Sequence, residues 1–178
     1  MQAGGSAPAC PPGKLCAVSL VPVQRAGLDA DHPALHFHRL WIGLPRHDGV
    51  ACWSLGVADG GCLVSPWAMT CRVVAHARGS DFQALHTGPR FAHLSGGDVT
   101  GKWLAEMVTP ETVEDRRRLM SHAVKTNRVR YAAAFVDIDD LGAVWVTVGL
   151  FPVWDVPAGQ PGLVAVAAPN DATLRGLV

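Results

Sequence analysis

Between Phe82 and Ala168 the apolar residues change their spacing several times, and each change marks an element. Phe82 to His86 alternates as a short strand and stops at Thr87-Gly88-Pro89, because glycine tolerates positive φ and proline cannot donate to a ladder. Arg90 to Ser95 then forms one apolar turn, Gly96-Gly97-Asp98 breaks it, and Lys102 to Val108 gives a second short helical piece. Thr109-Pro110 opens a helix running to Thr126, with Thr109 as cap and proline at the first helical position. Glu111, Glu114 and Asp115 suit its positive end, and Arg116, Arg117, Arg118 and Lys125 follow. Val113, Arg117, Met120 and Val124, with Leu119 and Ala123 beside them, make its inward stripe, and Asn127 closes it. The period then falls to two. Arg130 to Ile138 and Ala143 to Trp154 read as hairpin strands around Asp139-Asp140-Leu141-Gly142. A last strand, Leu163 to Ala168, follows the loop Pro157 to Gly162.

Upstream, Ser65-Pro66 and a brief helical turn at Trp67 to Cys71 lead into a strand, Arg72 to Arg78, which turns at Gly79-Ser80-Asp81 toward Phe82. Pro45 to Gly61 is loop-like, with a short strand at Val50 to Leu55. Asp31-His32-Pro33 starts a helix to about Leu44, with Asp31 as cap and Leu35, Leu40, Trp41 and Leu44 as its apolar positions. Leu15 to Val23 is a loosely docked terminus, a short strand or an arm on a partner, and Met1 to Gly13 is expected to be mobile. In Ala143 to Phe151 both alternating sets, Val144/Val146/Val148/Leu150 and Trp145/Thr147/Gly149/Phe151, are largely apolar, so the strand is expected to be covered on both faces. The short helices and the long helix take one face. The N-terminal helix or a second subunit takes the other.

The order is strand, strand, short helices, long helix, three strands, with Gly88-Pro89-Arg90 after the second strand and Val99-Thr100-Gly101-Lys102-Trp103-Leu104 before the last short helix. In this it resembles the PAS domain family over about Ser65 to Pro169, and is most similar to the small stand-alone bacterial type that carries no output domain. The resemblance implies an α+β fold: a five-stranded antiparallel sheet with short helices and one long helix on one face, plus the N-terminal amphipathic helix. It divides the chain into a segment 1–28, a helix and connecting loop 29–64, the PAS-like domain 65–169 and a tail 170–178. It implies a signalling or regulatory module without catalytic activity, which senses a small apolar ligand or docks on a signalling protein. The expected ligand cavity is walled by Trp103, Leu104, Met107, Met120 and Val124 from the helices and by Phe135, Trp145 and Thr147 from the sheet. Leu35, Leu40, Trp41 and Leu44 are expected at a homodimer interface or over the sheet.

Composition narrows this further. With 178 residues, 49% of them hydrophobic and 17% charged, the chain reads as one core with extensions. Fifteen basic and fifteen acidic side chains cancel, which points to neither nucleic acid nor an anionic membrane as partner and leaves little self-repulsion against association. The five cysteines form no Cys-x-x-Cys pair, which suggests a reduced, cytoplasmic chain, and no apolar run is long enough to span a bilayer.

Chemistry-bearing residues are scattered. His32, His36 and His38 lack a completing carboxylate or thiolate and read as solvent-facing, and no metal site is expected. In haem-binding PAS sensors an axial histidine projects from the long helix, and His122 stands on the matching helix; haem is the cofactor alternative, no cofactor being the first expectation. The segment Gly88 to Leu94 lacks the cysteine that a covalent flavin switch in PAS relatives requires. A small α+β enzyme using His93 or His122 is the rival reading. Triads written from Ser95, His93 and Asp98, or from Ser121, His122 and Asp115, sit in no activating turn. Arg116-Arg117-Arg118 reads as a solvated helix face, and Asp137, Asp139 and Asp140 as turn residues.

Overall fold

The computed structural model describes residues 20–54, 65–76, 79–138 and 141–178. Eight strands and four α-helices are defined among them: β1 (Val21–Pro22), α1 (Pro33–Gly43), β2 (Arg46–His47), β3 (Val50–Trp53), β4 (Ala68–His76), β5 (Gly79–Thr87), α2 (Pro89–Leu94), α3 (Leu104–Met107), α4 (Pro110–Thr126), β6 (Arg130–Ile138), β7 (Gly142–Asp155) and β8 (Gln160–Pro169). All eight strands join one sheet. Its main path runs β1-β6-β7-β8-β4-β5 and is antiparallel throughout.

The long antiparallel strands, the short α2 and α3 and the long α4 make this an α+β fold of PAS-like architecture. The sheet is wider than the five strands expected, because β1 adds to the free edge of β6 and the β2–β3 hairpin joins β7. At 14 residues β7 is long enough to pair with β6 over Gly142 to Leu150 and, past the point where β6 begins, in parallel with β3 over Val153 to Asp155.

α4 spans the predicted residues. Pro110 opens it, and Asn127 ends it in the left-handed conformation at φ 48°, a geometry asparagine tolerates. Thr109 occupies the cap position but its side chain caps nothing; its hydroxyl meets that of Thr112 at 3.2 Å.

Three local expectations are corrected. Ala68 to Cys71 are strand: only Ser65 to Trp67 form a helical turn, and β4 starts directly after it, paired to β8 from Ala68 onward. His32, not Asp31, caps α1, since its Nδ1 accepts the Ala34 N–H at 3.2 Å while the Asp31 N–H turns back to the Asp29 carboxylate. His32 is also not solvent-facing but wholly buried, with Nε2 at 3.3 Å from the Ala168 carbonyl. Of the apolar segment Leu15 to Val23, Val21 and Pro22 pair with Ala133 and Ala132; residues 15–19, the mobile-segment expectation at 1–13, Ala77 and Arg78 of the expected strand and Asp139 and Asp140 of the expected hairpin turn lie outside the described residues.

The core has two layers, one on each face of the sheet. On one face Phe91, Leu94, Leu104, Met107 and Met120 of α2, α3 and α4 pack on the sheet. On the other, Ala34 and Phe37 of α1 sit over β7, with the Phe37 ring edge-on to Phe151 at 4.8 Å. After β8 the chain makes a short 3-10 turn, Leu174–Gly176. Arg175 in that turn donates through Nε to Pro169 O at 2.9 Å and pairs with the Asp29 carboxylate, while its own carbonyl accepts from Arg90 of α2.

Candidate functional site

Strand alternation decides which side chains of β7 reach the helices. Val148 and Leu150 point toward α3 and α4, and with Ala165 of β8 and Met69 of β4 they floor a cavity of about 50 Å³. Phe91 of α2 with its capping Ser95, Val99 from the α2–α3 connection, Leu104 and Met107 of α3, and Arg116, Leu119 and Met120 of α4 surround it, with Leu20 at its margin. Among the described residues its lining is apolar apart from Ser95 and Arg116. The Ser95 hydroxyl donates to Phe91 O at 2.9 Å, which leaves its lone pairs but no proton for a guest.

Of the expected wall residues, Leu104, Met107 and Met120 are gathered around this space. Trp103 is not: it bridges to Gln83 beside β5, and its N–H is held by Glu106 Oε2 at 2.7 Å. Val124 packs against the core one turn beyond the cavity. Phe135, Trp145 and Thr147 belong to the opposite face. Phe135 and Trp145 meet across the β6–β7 pair with ring centroids 3.8 Å apart at a 38° tilt and are exposed, while Thr147 is buried on the α1 side. Those three placements are corrected by parity, because Val148 and Leu150 are the β7 residues on the cavity face.

Arg116 is the other correction. The solvated-face reading holds for Arg118, which is 73% exposed and pairs with Asp115, but Arg116 turns inward between Val113 and Met120. Its Nε and Nη2 are buried without a hydrogen-bond partner among the described residues, and burial lowers its pKa to about 10. At neutral pH it is still a cation. The spacing 113, 116, 120 carried that signal, and the run of three arginines hid it.

α1 supplies the second candidate surface. Leu35 is buried and Trp41 is half-buried, its indole N–H donating to Pro152 O at 2.8 Å and its ring capped by the Arg46 guanidinium at 4.2 Å. Leu44 is half-buried and Leu40 is exposed. Phe37, absent from the expected set, makes the central contact of this helix through its rings with Phe151 and Trp53. His38 adds a polar tie, with Nδ1 2.5 Å from the Tyr131 hydroxyl, and burial lowers the histidine pKa and raises that of the tyrosine to about 12.

The remaining chemical candidates do not converge. His122 is exposed in a groove of about 580 Å³ alongside Arg118 and Tyr131, where its Nε2 faces Arg130 Nη2 at 2.5 Å; it is not among the residues lining the cavity beneath α2, α3 and α4, where an axial haem ligand would stand. His93 is exposed, the Ser95 proton is engaged by Phe91 O, and the Asp98 carboxylate holds the Thr100 N–H, so that trio makes no relay. On α4, Asp115 pairs with Arg118 at 3.5 Å and His122 faces Arg130, so neither is engaged with Ser121. Among the described residues no three histidine, cysteine, aspartate or glutamate side chains stand together as metal ligands, and no helix is long and apolar enough to cross a membrane.

No protein-family model matches this chain, and no curated protein sequence does. Among solved structures it is similar to a fungal LOV-domain photoreceptor, at 19% identity and a TM-score of 0.41 over 62% of this chain and 79% of that one. It is also similar to an RNA-binding light-oxygen-voltage receptor, at 18% identity and a TM-score of 0.43 over 94% of this chain but only 42% of that protein.

Proposed function

We propose that the chain is a non-catalytic sensory and regulatory module of the PAS type. The cavity between the sheet and α2, α3 and α4 takes a small apolar or amphipathic molecule, and α1 presents the outcome to a signalling protein in the cytoplasm. One observation carries this reading: β7 floors the cavity with Val148 and Leu150 and, through the residues between and beyond them, carries α1 on its other face. A guest that spreads the helices therefore acts on the strand on which α1 rests. Leu40, exposed on α1, and the paired Phe135 and Trp145 leave apolar surface on that side for a second copy of the chain.

Amide hydrogen exchange of the full chain with and without 1-octanol tests the route. Slower exchange in α2 and α3 together with a change in α1 is expected. Binding that leaves α1 unaltered would remove α1 as the output, and no binding would remove the sensor reading. Sedimentation velocity across protein concentration checks the dimer, with a Leu40→Glu variant expected to shift it toward monomer.

A further inference from the structure

The cavity holds two features that an inert packing defect does not need. One is the Arg116 guanidinium, whose Nε and Nη2 are buried with no partner among the described residues, at the edge of an otherwise apolar lining. Arg116 as a residue is part-buried, yet polar groups in such surroundings are normally satisfied, and two unmatched buried nitrogens on a cation are among the costlier exceptions. The other is the methionine content. Apart from Met1 the chain has three methionines, Met69, Met107 and Met120, and all three line this cavity although they come from β4, α3 and α4. Methionine is unbranched and polarisable, and it repacks around guests of differing shape.

We propose that the cavity binds an aliphatic carboxylate, its headgroup on the Arg116 guanidinium and its chain against Met69, Met107 and Met120. This rests on the sensor reading above and names its ligand class. Among the described residues Arg116 is the one charged residue in the lining, so a monoanion neutralises it, whereas a phosphate monoester would bring about two charges to one cation. The guanidinium fork accommodates both carboxylate oxygens. A volume of about 50 Å³ holds a few water-sized groups, so the chain of a longer ligand enters only as the methionines move aside. Desolvation of Arg116 occurs already in the empty fold, which reduces what an anion must overcome on entry and favours charge over an uncharged group of the same length.

Calorimetric titration of the full chain with octanoate and with 1-octanol at pH 8 tests this. Octanoate is expected to bind at least tenfold more tightly than the alcohol. In Arg116→Met that preference is expected to vanish while 1-octanol binding is kept, and Arg116→Lys should retain part of it. Equal binding of the two probes by the wild-type protein, or a preference that survives in Arg116→Met, overturns the role of Arg116 and leaves the sensor reading intact. Failure of both probes to bind overturns both. Should Arg116→Met not fold, the wild-type ratio and the Arg116→Lys variant still decide, because a merely structural arginine would not separate acid from alcohol.

Discussion

Val148 and Gly149 are neighbours in β7, yet Val148 borders a void while a Cβ on Gly149 would lie 2.7 Å from the Phe151 ring and 3.0 Å from Ala34. The two faces of one strand are thus packed to different standards. The α1 face is filled by rings: Phe151 has Phe37 at 4.8 Å, His38 at 5.9 Å and Tyr131 at 6.2 Å, all near edge-on. The helix face is filled by methionines and holds a cation without a hydrogen-bond partner at Nε and Nη2 among the described residues. The difference teaches that α1 belongs to the rigid part of the molecule and that adaptability is concentrated under α2, α3 and α4.

The largest expected effect is on the tight face. Phe151→Ala should lower unfolding free energy by about 3–5 kcal/mol, read from urea denaturation, since it empties the centre of the ring cluster. A loss below that of a cavity-face substitution would reverse the comparison.

Acid should act on the same face next. Burial depresses the pKa of His32 to about 4, with the nearby Arg175 charge adding to the shift, while the Ala168 carbonyl and Asp29 oppose it. Nδ1 accepts from Ala34, so the neutral ring carries its proton on Nε2 toward Ala168. The unfolded chain takes up this proton from about pH 6.5 downward and the folded one only near 4, so stability is full above pH 6.5 and falls as pH drops through that window. The loss should reach about 3 kcal/mol, the free-energy equivalent of the shift, and then level off. His38, shifted the same way by burial, steepens the slope. The Asp29 carboxyl, held low by its bond to Arg175, contributes only at lower pH. Urea midpoints at pH 4 and pH 7 measure the drop, which should shrink in His32→Leu.

Gly149→Ala should cost about 1–3 kcal/mol by overpacking against Phe151, checked by thermal melts. Smallest of all, Met120→Leu on the helix face should cost less than about 1.5 kcal/mol, because the change conserves volume beside a space that can relax. If Met120→Leu proved the more damaging of these two, the helix face would be the better packed.

The elements were largely legible because their signals are local. Pro110 to Thr126 and Arg130 to Ile138 have the bounds expected from caps, proline and period. The ambiguity lay in parity. When both alternating sets of a strand are apolar, periodicity does not say which set meets which layer, so the pattern alone does not separate Trp145 and Thr147 from Val148 and Leu150, the pair that meets the cavity. Arg116 was lost for a related reason: a charged residue on an amphipathic helix reads as outward unless its i−3 and i+4 neighbours are weighed against its charge. His32 illustrates a third limit, since the carbonyl its buried ring meets belongs to Ala168, 136 residues away.

The links made by Arg175 bear on how such a molecule transmits force. Arg90 stands at the start of α2, the helix that brings Phe91 and Ser95 to the cavity; its guanidinium holds the Arg175 carbonyl, and the Arg175 side chain in turn grips Asp29, three residues before the His32 cap. An outward swing of α2 must either break the first of these links or pull on the second. The two helices on opposite sides of the sheet are consequently strung on one short tether past the end of β8, a line of traction that bypasses the sheet.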